Sequence, residues 1–260
     1  MPCFYKKKLT IIEKKNIINH IFFKTYINNK QEENSMIDLK KEQKVSLDRP
    51  RYKYSLMAKF FFLSMDMITG KKCNLSKVKL IETLASIPYR AWETRQYGRM
   101  TRGYKNDSLV QNAHEIMMWG REAQDNEYWH LIVINEKMKE DNVKDAWYLF
   151  PLFPFLMVTS YSIMSRIVAF FSISSAFSFN AEFEDHAEHV YAKYVEDHPE
   201  WDSQPVNSNL VKGYGDFQSW GDVFRRVGLD ERDHMNTSFV FCGKPESVVK
   251  YDGMPELPVI

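Results

Sequence analysis

Two short stretches constrain this chain more than any others: Asp125-Asn126-Glu127-Tyr128-Trp129-His130 and Asp230-Glu231-Arg232-Asp233-His234. Each sets a carboxylate three residues ahead of an imidazole, inside a segment that reads as helix. Positions i and i+3 of a helix stand on one face a turn apart, so each Glu and its His can approach one point in space. Of the seven histidines, only His130 and His234 have an acid at i−3. A lone Glu-x-x-His is weak evidence, because on most helices it is a solvated surface pair. Two of them gain a specific meaning if two further carboxylates join them.

The chain offers such carboxylates. Glu82 lies among Leu80, Leu84, Ala85 and Ile87, an acid in an apolar neighbourhood. Its helix is expected to begin near Leu75 or Ser76, with Ser76 as the cap. Glu184 opens an acidic helix on which Glu184, Ala187, Glu188 and Tyr191 fall along one face. There Glu188 is a rival ligand and His186 with His189 a rival pair, and periodicity does not choose among them. One Glu from each of two helices plus a Glu-x-x-His from each of two others is the ligand set of bundles that hold two metal ions through carboxylates. Oxygen-rich ligation with two imidazoles suits iron or manganese better than a thiolate site does. The bland readings are an exposed Glu82 on an amphipathic helix and a His130 satisfied within the core.

At 260 residues the chain is long enough to bury a real core in one domain. Lys and Arg (35) nearly balance Asp and Glu (34), so no global field favours nucleic acid. Cys3, Cys73 and Cys242 are far apart and suggest neither a disulfide framework nor a zinc site. Residues 1–35 fit neither a transit peptide nor a secretory signal, and the expectation is that Met36 begins the functional protein. Domain organisation is expected as a poorly ordered tail over 1–53, a helical-bundle domain over 54–242 and a second tail over 243–260. The run 54–67 is apolar but too short to span a bilayer. A helix is expected from Asn106 to about Met138 and another over 217–241, where Gly228 costs ~1 kcal/mol in helix propensity and asks for a packing reason. Trp147 to Ser165 carries no charge over 19 residues. Pro151, Pro154 and Arg166 argue against a simple span, so a helix over 155–171 with a break at 172–175 is preferred. No internal repeat is evident.

The ordered set L-I-E-T-L-A-S-I-P (Leu80 to Pro88), N-E-Y-W-H-L (Asn126 to Leu131), F-E-D-H-A-E-H-V-Y (Phe183 to Tyr191) and D-E-R-D-H (Asp230 to His234) resembles the alternative oxidase family over about residues 75–240. The resemblance implies an all-α, ferritin-like four-helix di-iron bundle with additional apolar helices lying in one membrane leaflet. It implies two iron ions held by Glu82, Glu127, His130, Glu184, Glu231 and His234, preferring Glu184 over Glu188. It further implies a catalytic Tyr191, a quinol pocket at Ile81, Phe183 and Ala187, and supporting roles for Asn126 and Asp230 beside the ligands. The implied reaction is oxidation of ubiquinol or plastoquinol coupled to reduction of dioxygen to water without proton pumping. Such an enzyme sits on a bacterial or organellar inner or thylakoid membrane, and the resemblance admits a homodimer. His186 in the third motif is more like the plastid terminal oxidase and cyanobacterial branch than the mitochondrial one, and Val190 replaces a family threonine by the quinone pocket.

Two other functions use the same residues differently. A di-iron monooxygenase acting on a lipophilic quinone precursor would put an oxygen atom into its substrate, and product analysis separates it from an oxidase. Iron storage or a purely structural membrane role is the third reading, against which the apolar runs at 54–67 and 147–181 argue.

Overall fold

The computed structural model describes residues 37–258, and among them the fold is all-α, with seven helices and no strand. These are α1 (Leu39–Asp48), α2 (Leu56–Thr69), α3 (Leu75–Gly103), α4 (Asp107–Glu140), α5 (Leu152–Phe171), α6 (Ile173–Glu196) and α7 (Trp220–Phe241). Short polar side chains open nearly all of them by accepting from orphan N–H groups. Asn106 caps α4 as expected, Ser172 caps α6 and Ser219 caps α7. The cap of α3 is Asn74, not Ser76; Ser76 lies one turn inside and its Oγ accepts from Ala146 N at 3.1 Å.

Helices α3 and α4 pack along each other, as do α6 and α7, and the two pairs face across a polar layer. That layer lies between two apolar cores. One contains Val78, Val133, Tyr191 and Val227; the other contains Tyr89, Ala123 and Phe177, with Phe241 packed against it. Each of the four helices therefore contributes to both cores and carries its acids in between. The order along each chain segment makes α3 and α7 run one way and α4 and α6 the other. Gly228 has the packing reason its propensity cost demanded: a Cβ there would meet the Tyr191 Cβ at 3.1 Å, so glycine lets α7 approach α6.

The apolar run 54–67 forms α2, and α5 begins at Leu152, three residues earlier than expected. Pro154 is tolerated because it sits in the first turn, where N–H groups have no helical acceptor to lose. The expected break at 172–175 contracts to Ser172, whose extended backbone and capping side chain separate α5 from α6. Among the described residues, α5 is the one helix long and apolar enough to cross a membrane, and only 17% of its most apolar stretch is buried. Leu56, Phe60, Leu63 and Met67 of α2 and Phe155, Ile163, Ile167 and Phe170 of α5 are all exposed.

Residues 37–53 and 243–258 correct the expected tails; residues 1–35 and the Met36 start lie outside the described residues. The segment around α1 is tied down by buried ion pairs. Arg49 donates to Asp185 Oδ1 and Glu188 Oε2, both at 2.7 Å, and Arg232 donates to Glu188 Oε1 at 2.8 Å and Glu42 Oε2 at 2.5 Å. Charge periodicity could not announce this, since the partners lie on three separate helices. At the other end Asn236 exchanges both of its amide bonds with the Val249 backbone, and the Tyr251 hydroxyl reaches the Asp233 carboxylate.

Burial pushes the Glu188 carboxyl up, but the Arg232 and Arg49 guanidiniums more than reverse this and hold it below the ordinary carboxylate range. Its stabilising contribution is complete above the unfolded glutamate value of roughly 4.3 and is lost as pH falls through the lower folded value. Arg49→Met leaves Asp185 buried with its main charge partner gone, so thermal or urea unfolding at neutral pH should show a loss of about 3 kcal/mol. The variant should also lose less further stability than wild type on acidification below about pH 4. Equal stability of the two proteins would refute the docking of this segment.

Candidate metal centre

Glu82 on α3, Glu127 and His130 on α4, Glu184 on α6, and Glu231 and His234 on α7 converge in the polar layer. They form two groups. In Glu82, Glu127, His130 and Glu231, one ligating atom from each residue lies within 4.8 Å of every other. The same holds for Glu127, Glu184, Glu231 and His234. Glu127 and Glu231 belong to both groups, so the two candidate positions share a pair of carboxylates. All six residues that the family resemblance implies as ligands are thus brought together, and each group could hold a metal ion.

The hydrogen-bond inventory separates the shared residues from the others. Both oxygens of Glu127 and of Glu231 have no hydrogen-bond partner; Glu82 and Glu184 each leave only Oε2 without one; His130 and His234 each leave Nδ1. The His234 Nδ1 lies 3.0 Å from Glu127 Oε1 and the His130 Nδ1 lies 3.2 Å from Glu231 Oε1, without the geometry of a hydrogen bond. Buried polar atoms are ordinarily paired, and leaving one unpaired costs about 1–3 kcal/mol. Eight such atoms on six residues, all facing one layer, fit a site for cations. The donor set of carboxylates and imidazoles fits iron or manganese. Burial, then the charges of Glu231 and Glu127, push the Glu184 carboxyl well above its usual range. Burial pulls the His234 imidazole down, and the adjoining carboxylates of Glu127 and Glu231 outweigh it and raise it.

The remaining atoms of these residues are held in place. His130 Nε2 lies 3.2 Å from Asp230 Oδ2, the Asn126 amide donates to that oxygen at 3.0 Å, and the Tyr214 hydroxyl and Arg226 guanidinium also donate to Asp230. A carboxylate on the far nitrogen fixes the imidazole ring and leaves Nδ1 for the layer. Asn126 and Asp230 therefore adjoin the six-residue cluster. Tyr191 donates to Glu82 Oε1, and Tyr89 donates to Glu184 Oε1 at 2.8 Å, joined there by Asn180 at 3.0 Å.

Tyr89, Tyr214, Asn180 and Arg226 were missed in the sequence. For Tyr89 a signal existed: it follows Glu82 by seven residues, as Tyr191 follows Glu184. Seven residues advance ~10.5 Å along a helix. On two antiparallel helices each tyrosine then lies level with the other helix's glutamate, which is the pairing observed.

Glu188, one turn from Glu184, faces away from the layer and into the Arg49 and Arg232 pairs. His189 hydrogen-bonds to the Asp185 and Arg49 carbonyls. Asp185, Glu188 and His189 also lie close together, but guanidiniums already neutralise that group. His186 stacks on Phe62 with ring centres 4.0 Å apart, and burial together with Arg51 pulls its pKa down to about 3. Ile81, Phe183 and Ala187 line a narrow slot that ends on Glu82 and Tyr191, with Phe61, Phe62 and Met65 of α2 forming its outer wall. Asp66 and Lys77, joined at 2.6 Å, also line it and were not foreseen.

The chain matches no known family model, and no curated protein is similar to it in sequence.

Sharing of Glu127 and Glu231 sets a graded expectation for metal content. Glu127→Ala or Glu231→Ala opens both groups at once and should lose most bound metal, measured by elemental analysis after reconstitution with Fe(II) or Mn(II). Glu82→Ala and Glu184→Ala each open one group and should keep a larger fraction. Equal losses in all four variants, or none, would overturn the shared arrangement.

Proposed function

We propose that this protein is a membrane-associated quinol oxidase of the alternative oxidase type, whose two iron ions are held by Glu82, Glu127, His130, Glu184, Glu231 and His234. The observation that carries the reading is the set of eight unpartnered buried atoms on those six residues, arranged as two groups with a shared carboxylate pair. On this reading the bundle is a ferritin-like di-iron bundle. When bound, the iron pair supplies the one-electron chemistry that reduction of dioxygen requires.

The chain's own residues set where the quinol goes and how its protons leave. The slot between α2, α3 and α6 is apolar apart from Asp66, Lys77, His186 and Glu82, which suits a ring with two hydroxyls and a hydrocarbon tail. Its space is only about 30 Å³, enough for water and not for a ring, so Phe61 and Phe62 must turn aside as substrate enters. Tyr191 lines the slot and also hydrogen-bonds Glu82, so its hydroxyl joins the substrate space to the polar layer. Burial, then the charges of Glu82 and Glu231, hold its phenol well above the usual tyrosine range, which keeps the proton on oxygen until it is drawn away. Two quinols give four electrons and four protons, and one dioxygen accepts them as two waters. On this reading the protons are taken up in water formation and none is pumped.

The exposed faces of α2 and α5 support attachment to one leaflet. On α5, Tyr161, Ser165 and Ala169 are buried at i, i+4 and i+8 and the opposite face is bare, the one-sided pattern of an interfacial helix. Substrate dissolved in lipid would then reach the slot through α2.

Oxygen uptake by iron-reconstituted protein with ubiquinol and plastoquinol analogues is expected to be fast, with quinone and water as products. A hydroxylated product would sink the oxidase reading in favour of a di-iron monooxygenase. Tyr191→Phe keeps the ring and its packing, so iron content and melting temperature should hold while uptake falls at least ~100-fold, the order set by losing a positioned proton donor. Undiminished uptake would return Tyr191 to a packing role. Leu63→Glu with Ile163→Glu should release the protein from liposomes, read by flotation. Cysteines placed at the two ends of α5 should label from the same side of sealed vesicles; labelling from opposite sides would mean a spanning helix.

A further inference from the structure

The slot is not the only approach to the polar layer. A second cavity, of about 540 Å³, opens between α4, α7 and the C-terminal segment and shares no wall helix with the slot. Its floor includes His234, the most exposed of the six layer residues at 6% against 2% or less for the others. Its α4 wall carries Glu115, Glu122 and Asp125, spaced at i, i+7 and i+10 along one face. Glu122 and Asp125 are exposed and paired with no cation, and Glu256 adds a further negative charge from the C-terminal segment. The one guanidinium in the wall, Arg226, is engaged by Asp230 and Asp233. At the base, Asn126 is about nine-tenths buried and its Oδ1 has no hydrogen-bond partner. The cavity therefore runs from an acidic, open mouth to an unpartnered amide oxygen and then to His234.

We infer that this vestibule is the loading route by which divalent metal reaches the centre. The inference rests on the proposed metal centre and adds to it a door for the cation that is separate from the door for substrate. Chemistry favours the division. A hydrated divalent ion is disfavoured in the largely apolar slot between α2 and α3, where the one carboxylate ahead of Glu82, Asp66, is already paired with the Lys77 ammonium at 2.6 Å. The vestibule concentrates cations by its field and offers oxygen ligands in succession: the carboxylates of Glu122 and Asp125, then the Asn126 amide, before the layer.

The test is the rate of Co(II) uptake by metal-free protein, followed by the visible absorption of the bound ion, with final stoichiometry from elemental analysis. Glu122→Gln with Asp125→Asn removes two exposed charges and should slow uptake roughly tenfold without changing the final content. Raised ionic strength should slow wild type and leave the double variant nearly unchanged. Met65→Trp, which fills the slot, should load at the wild-type rate. If the double variant loads as fast as wild type, or if Met65→Trp is the one that loads slowly, the vestibule is not the route. A wild-type protein that takes up no metal would instead refute the metal centre itself.

Discussion

Everything in this structure depends on one electrostatic problem: four carboxylates meet inside a helical core, and six of their eight oxygens have no hydrogen-bond partner. Without a compensating charge such a cluster takes up protons or opposes folding. The scaffold does not relieve it with arginine, although it has arginines to spare. It places the guanidiniums one layer out and leaves the inner oxygens facing each other and two imidazole nitrogens. The two apolar cores above and below hold that layer dry and fix the four helices in register, so the unpaired atoms cannot drift apart to find water.

The contrast between Glu184 and Glu188 shows how finely this is arranged. They are one turn apart on α6, both wholly buried. Glu188 receives Arg49, Arg232 and Ser46, a full set of donors, and its carboxyl is held in the ionised range. Glu184 receives Tyr89 and Asn180 on one oxygen and nothing on the other. A neutral donor on one side orients a carboxylate without neutralising it. Ionised donors on both sides neutralise it and turn it into a structural rivet. The same residue type on the same helix thus acquires opposite roles from its neighbours alone.

This contrast also marks how much could be read beforehand. The two Glu-x-x-His stretches, the helices bearing them and Glu82 were legible because their signals are local, carried by a spacing of three and by an acid set among apolar residues. Glu184 over Glu188 was not legible from periodicity, since both sit on one face; the difference lies in Arg49 and Arg232, which arrive from distant segments. For the same reason residues 37–53 read as a tail: α1 is polar on most sides, and its affinity for the bundle is ionic, which leaves no apolar period in the sequence. The terminal segment after Gly243 was hidden likewise, because its anchors are backbone groups of Val249 and the Tyr251 hydroxyl. Tyr89 was legible and overlooked. A search for contiguous repeats passes over a repeat made of two residues, Glu and Tyr seven apart, on helices a hundred residues distant.

That crossed pair of tyrosines leads to a last point about asymmetry. The local device is nearly symmetric: Glu82 with Tyr191 at one end of the layer, Glu184 with Tyr89 at the other. The surroundings are not. Tyr89 is enclosed by Trp92 and Trp119, with ring centres 5.1 and 5.4 Å away, and by its contact with His234. Such packing leaves its phenol no neighbour outside the layer and makes it an orienting group. Tyr191 has Glu82 on its hydroxyl and the slot along its flank. Under the proposed function, a proton or electron from a ring in the slot has a path through Tyr191 and none through Tyr89. Two halves of a nearly symmetric centre become distinct because the largely apolar slot lies along only one of the two tyrosines. The placement of α2, packed against α6 at that end, is what makes the difference.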